Sequence, residues 1–137
     1  MTTTGAPSPL SDQLARLRAA WPGGAWEWDG RFGCALSAVG KALEASARQA
    51  VTAALPSVWT AAQLMEAPAA LQQLCARVGG LRGDQLVFSA EAGGVLAYCL
   101  WWPWGGGANF SARVGALGAD KVDLSPVVRA AFGLTSR

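Results

Sequence analysis

The run Val95–Trp104, VLAYCLWWPW, limits what this chain can become more than any other stretch. Glycines bracket it, Gly93 and Gly94 before it and Gly105 to Gly107 after it. Its ten residues are about half of what a membrane-crossing helix needs, so no membrane insertion is expected. Read at the two-residue period of a strand, Val95, Ala97, Cys99 and Trp101 face one way. Leu96, Tyr98, Leu100, Trp102 and Trp104 face the other. Neither side is polar. A strand in a one-sided antiparallel sheet alternates apolar with polar residues, so this one is expected at the centre of a sheet covered on both faces. Proline cannot donate to a ladder and marks a strand end, so Trp102 and Trp104, on either side of Pro103, are candidates for a rim that meets a partner.

The rest of the chain supplies the covering layers. Residues 1–9 read as a Thr/Pro/Ser-rich tail, and residues 10–137 as one α+β domain. Leu10, Leu14, Leu17 and Trp21 recur at helical spacing until Pro22-Gly23-Gly24 stops them. AWEWDGRFGCALS predicts a hairpin turning at Asp29-Gly30, with Trp26 and Trp28 on one face and Phe32, Cys34 and Leu36 on a face of the next strand. KALEASARQAVTAAL, Lys41 to Leu55, predicts a helix ended by Pro56. A second helical region runs from about Trp59 to Val78, interrupted at Pro68, with Thr60 able to cap its first part. Leu71, Leu74, Cys75 and Val78 form its apolar stripe. Leu86 and Phe88 then share a face of the first strand of a three-strand meander, and a short helix from Asp123 or Ser125 to Phe132 closes the chain. The expected fold is an antiparallel sheet of about five strands, hairpin plus meander, flanked by helices on both faces.

Few chemistries fit the residues. Histidine is absent, which removes Ser-His-Asp and Cys-His catalysis and most zinc and haem ligation. The three cysteines, Cys34, Cys75 and Cys99, are too far apart for a Cys-only metal site and read as buried hydrophobes of a reducing compartment. The segment around Gly40-Lys41 lacks the first glycine and the Ser/Thr of a phosphate loop. Lys and Arg are scattered and the net charge is only +2, so no nucleic-acid groove is expected. Glu27 and Asp29 share a strand face and read as solvated charges beside a turn. Asp120 and Asp123 read as helix-capping acids. No signal-peptide pattern opens the chain, and a cytoplasmic, non-enzymatic protein without cofactor or metal is expected.

The stretch from Trp59, WTAAQLMEAPAALQQLCARVGGLRGDQLVFSAEAGGVLAYCLWWPWGGGANFSARVGAL, followed by a last helix, resembles the roadblock/LC7 domain family. The helix at Lys41–Leu55 and the break at Pro68 depart from the minimal family pattern. The resemblance implies a five-stranded sheet between a central helix and two terminal helices. It also implies a homodimer seam along the central helix and the strand after it, here Leu71, Leu74, Cys75, Val78, Leu86 and Phe88. The function it implies is a non-catalytic scaffold or regulator, with a small Ras-like GTPase as partner. Two other readings stay open: a secretion-type chaperone that cradles a peptide, and a binder that stacks a small ligand on the tryptophans.

Overall fold

Residues Val95–Pro103 occupy an inner position in a six-stranded antiparallel sheet. The computed structural model describes residues 9–23, 25–92, 94–103, 109–118 and 123–134. The first half of the chain forms α1 (Pro9–Ala20), β1 (Glu27–Asp29), β2 (Cys34–Gly40), α2 (Glu44–Ala54) and β3 (Ser57–Trp59). The second half forms α3 (Ala69–Arg77), β4 (Leu86–Ala92), β5 (Val95–Pro103), β6 (Asn109–Gly118) and α4 (Ser125–Ala131). Single 3-10 segments, Lys41–Leu43 and Ala61–Glu66, lead into α2 and α3. Sheet order is β1-β2-β6-β5-β4-β3, and every neighbouring pair is antiparallel. No helix among the described residues is long and apolar enough to cross a membrane.

The two faces of β5 belong to two separate cores, which is why the strand carries no polar side. On one face Ala97, Cys99 and Trp101 join Leu10, Leu14 and Leu17 of α1, Ala47 and Val51 of α2, and Val128 of α4. Trp101 lies 4.4 Å from Phe110 and 5.9 Å from Phe88 between ring centroids, and Trp21 meets it edge-on at 6.4 Å. On the other face Leu96, Tyr98 and Leu100 pack under Leu71, Leu74 and Cys75 of α3. Bulk is matched across the β5–β6 ladder: Trp101 stands opposite Ala112 and Tyr98 opposite Gly115. A Cβ at Gly115 would fall 2.6 Å from Cζ of Tyr98, so only glycine admits that ring.

Two expectations are corrected by the structure. The sheet has six strands, not five, because Ser57–Trp59 leaves the end of α2 extended and pairs with Val87–Ser89 of β4. The Trp59 indole N–H donates to Ser89 Oγ at 3.0 Å, which fixes that strand, and the helical turns start only at Ala61. Secondly, the hairpin does not turn on two residues at Asp29-Gly30. Asp29 pairs with Cys34, and the intervening four-residue turn places its positive φ of 68° at Gly33, whose N–H donates to the Asp29 carbonyl at 2.8 Å. The helix expected over Lys41–Leu55 forms as α2, preceded by the 3-10 turn at Lys41–Leu43. α2 packs beside α1, with Ala47, Ala50, Val51 and Ala54 buried, and completes the layer over Phe88 and Trp101.

Candidate functional site

α3 is one helix on a face six strands wide. It covers β4 and β5, and among the described residues no helix lies over the same face of β6, β2 and β1. Register sets which side chains stand there. Arg113 of β6 is opposite Leu36 of β2, Leu36 is opposite Glu27 of β1, and Ser111 is opposite Ala38. Side chains directly opposite one another share a face, so Glu27, Leu36, Ala38, Ser111 and Arg113 all project to that side. Together with Ala25 they line a shallow trough of about 340 Å³.

At one end of the trough an ion pair reaches across β2. Arg113 Nε donates to Asp29 Oδ2 at 3.1 Å, and only 14% and 12% of the two side chains is exposed. The other carboxylate oxygen, Oδ1, accepts the Arg31 backbone N–H at 3.0 Å. Arg113 Nη1 donates to Ser111 Oγ at 3.4 Å. The guanidinium lies 4.6 Å from the ring centroid of Trp102 and 5.6 Å from that of Phe32. Burial pushes the Asp29 carboxyl up, but the Arg113 hydrogen bond, the Arg31 N–H and the guanidinium charge outweigh it and hold the group below the ordinary aspartate value. The thiol of Cys34, which pairs with Asp29 in the ladder, is pushed up to about 12 by burial and the nearby Asp29 charge, against a smaller pull from Arg113.

Asp29 is therefore not the solvated charge expected beside the hairpin turn; Glu27 is exposed. Their separation arises because Arg113, 84 residues away in sequence, reaches the one carboxylate. The three serines buried among the described residues, Ser37, Ser89 and Ser111, all accept from large donors: the Trp21 indole at 3.0 Å, the Trp59 indole and the Arg113 guanidinium. Trp102 differs, since its indole Nε1 is buried with no hydrogen-bond partner. Trp104 and Asp120 lie outside the described residues.

The six positions assigned to a dimer seam do not form one surface. Leu71, Leu74 and Cys75 are at most 1% exposed, packed under α3 against the chain's own sheet, with Val78 half-buried beside them. Leu86 and Phe88 pack on the opposite face, with α1 and α2. The edge of β4 is also occupied, because β3 pairs with it. Sequence periodicity locates the stripe on α3 correctly; it cannot say that the stripe is used up inside one chain. Comparison with family models, curated proteins and solved structures gives no match.

Proposed function

We propose that this chain is a non-catalytic, roadblock-like interaction domain that acts as a homodimeric scaffold or regulator through the half of its sheet that no described helix covers. The observation that carries the reading is the Asp29–Arg113 pair, held between Phe32 and Trp102 beside an open trough. Arginine and aromatic side chains ordered before contact lose little freedom on binding, and such residues dominate binding energy at protein interfaces. The surface is also self-complementary. Glu27 is exposed at one end of β1 and Arg31 in the turn at the other, so a two-fold-related copy sets acid against base. The apolar stripe of α3 supports this placement, since it is spent on the chain's own core and leaves the seam to another surface. A non-catalytic role is supported by the thiols: all three are buried and have raised pKa values, so they stay protonated and poor nucleophiles near neutral pH.

Size-exclusion chromatography with light scattering, at tens of micromolar protein, tests the assembly. The wild type is expected to elute as a dimer and Ala38→Arg, a charge placed on the exposed trough floor, as a folded monomer. A strictly monomeric wild type overturns the reading, and a dimer indifferent to Ala38→Arg overturns the surface. A Ras-like GTPase is the partner class implied by the family resemblance. It is tested by titrating purified GTPases in both nucleotide states, with Trp102→Ala expected to weaken the complex.

A further inference from the structure

On the opposite face of the sheet a second recess, of about 430 Å³, opens between the β1–β2 turn and α4. That volume falls in the range of small-molecule sites. Its walls are Trp28, Gly30, Gly33, Asp123, Ser125 and Arg129. None of these side chains takes part in the Asp29–Arg113 ion pair, which lies on the other face of the sheet.

Arg129 is the first reason to assign this recess a ligand. Its guanidinium lies over the Trp28 ring, with Cζ 4.4 Å from the centroid, which holds the fork in place. Its Nε is buried and has no hydrogen-bond partner. Among the described residues the only ion pair is Arg113–Asp29, so no described carboxylate is in ion-pair contact with this guanidinium. The buried, unmet Nε shows that nothing inside the fold neutralises this guanidinium, and its two terminal nitrogens are the fork that can take up a carboxylate.

Asp123 is the second reason. It stands in the same wall, yet its Oδ1 is engaged by the Ser125 N–H at 2.9 Å and it makes no ion pair with Arg129. Hydrogen bonds from Ser125, more than the Arg129 charge, hold its carboxyl below the ordinary aspartate value, so it stays ionised at neutral pH. The recess thus carries one positive and one negative group set apart from each other. The third reason is that glycines leave the space empty. A Cβ at Gly30 would meet nothing within 4 Å, and at Gly33 only Ser125 Oγ, at 4.0 Å.

We infer that the recess binds a small zwitterion of the α-amino-acid class, its carboxylate on the Arg129 fork, its ammonium toward Asp123 and its side chain against Trp28. A simple anion would be repelled by Asp123 and a simple amine by Arg129; a zwitterion satisfies both.

Calorimetric and tryptophan-fluorescence titrations of the full chain with glycine, L-leucine and L-phenylalanine provide the test. 4-Methylpentanoate and 3-methylbutylamine serve as the matched carboxylate-only and amine-only probes. At least one amino acid is expected to bind saturably, with the carboxylate-only probe about tenfold weaker and the amine undetected, roughly one charged contact's worth of discrimination. Arg129→Gln is expected to abolish amino-acid binding, and Asp123→Asn to remove the preference for the zwitterion over the carboxylate. Gly30→Leu fills the recess where there is open space, so it is expected to block binding with the unfolding transition unchanged. This variant keeps the question answerable if Arg129→Gln fails to fold. Failure of every amino acid to saturate by about 10 mM, well past typical weak affinities, overturns the assignment. Wild-type binding by Gly30→Leu overturns it equally.

Discussion

Replacing either member of the Asp29–Arg113 pair tests whether the β1-β2-β6 part of the sheet face is held in shape by that contact. At 3.1 Å between Nε and Oδ2, Coulomb attraction at an effective dielectric constant near 20 is roughly 5 kcal/mol before any desolvation. Taking two charged side chains down to 14% and 12% exposure returns most of that, and the pair sits between exposed pairs, worth about 0–1 kcal/mol, and buried ones. We expect Asp29→Asn and Arg113→Gln each to cost about 2 kcal/mol, because each leaves its partner mostly enclosed and unmatched. The double variant should be less destabilised than the sum by about 1–2 kcal/mol, the coupling read from a double-mutant cycle. Urea unfolding followed by tryptophan fluorescence supplies the four stabilities.

The same pair sets a pH dependence. Asp29 titrates lower in the folded chain than the ordinary 3.8. Its contribution is therefore fully present above that value and disappears as pH falls through the folded pKa. The gap between wild type and Asp29→Asn should be constant from neutral pH down to about the ordinary value and then close in stronger acid. A coupling below about 0.3 kcal/mol, where distant sites already behave additively, would refute the pairing as a source of stability. A gap that stays the same through the acid range would refute it as well.

Gly115→Ala should cost about 1–3 kcal/mol through overpacking, since the new methyl meets the buried phenol of Tyr98. Adding Tyr98→Phe should recover part of that loss, because the hydroxyl oxygen is the nearest atom; the same urea titrations show whether it does. Cys34, Cys75 and Cys99 should be inert to Ellman's reagent in the folded chain and all react on unfolding, given their burial and raised pKa values. A rapid stoichiometric reaction of the native chain would contradict that burial.

Much of the architecture is legible in the sequence because it depends on local periodicity. The α1 stripe of Leu10, Leu14, Leu17 and Trp21 is buried as its spacing predicts, and α3 begins just after Pro68. The helix at the chain's end starts at Ser125 with Pro126 in its first turn. β3 is not legible, because the three residues Ser57 to Trp59 carry no periodic signal; what makes them a strand is the open edge of β4 beside them. The sequence misplaces the hairpin turn because Asp-Gly is the sharper local signal. A four-residue turn closing on Gly33 leaves Asp29 Oδ1 free for the Arg31 N–H.

The proposed binding surfaces are less legible. Arg113 is the only charged residue in NFSARVGAL, and Asp29 is one of two acids on its strand. That the two meet depends on β6 lying beside β2, a pairing of segments from opposite ends of the chain. Arg129 and Trp28 likewise come together only when α4 packs on the sheet. What the amino-acid order determines by itself is which of the longer segments are helix or strand and that β5 lies in the interior, since two apolar faces at strand period can be satisfied only between two layers. What only the tertiary structure decided is which charged groups meet and which are left unanswered. Electrostatic contacts act over a few ångströms, and those distances exist only after the strands have taken their order in the sheet.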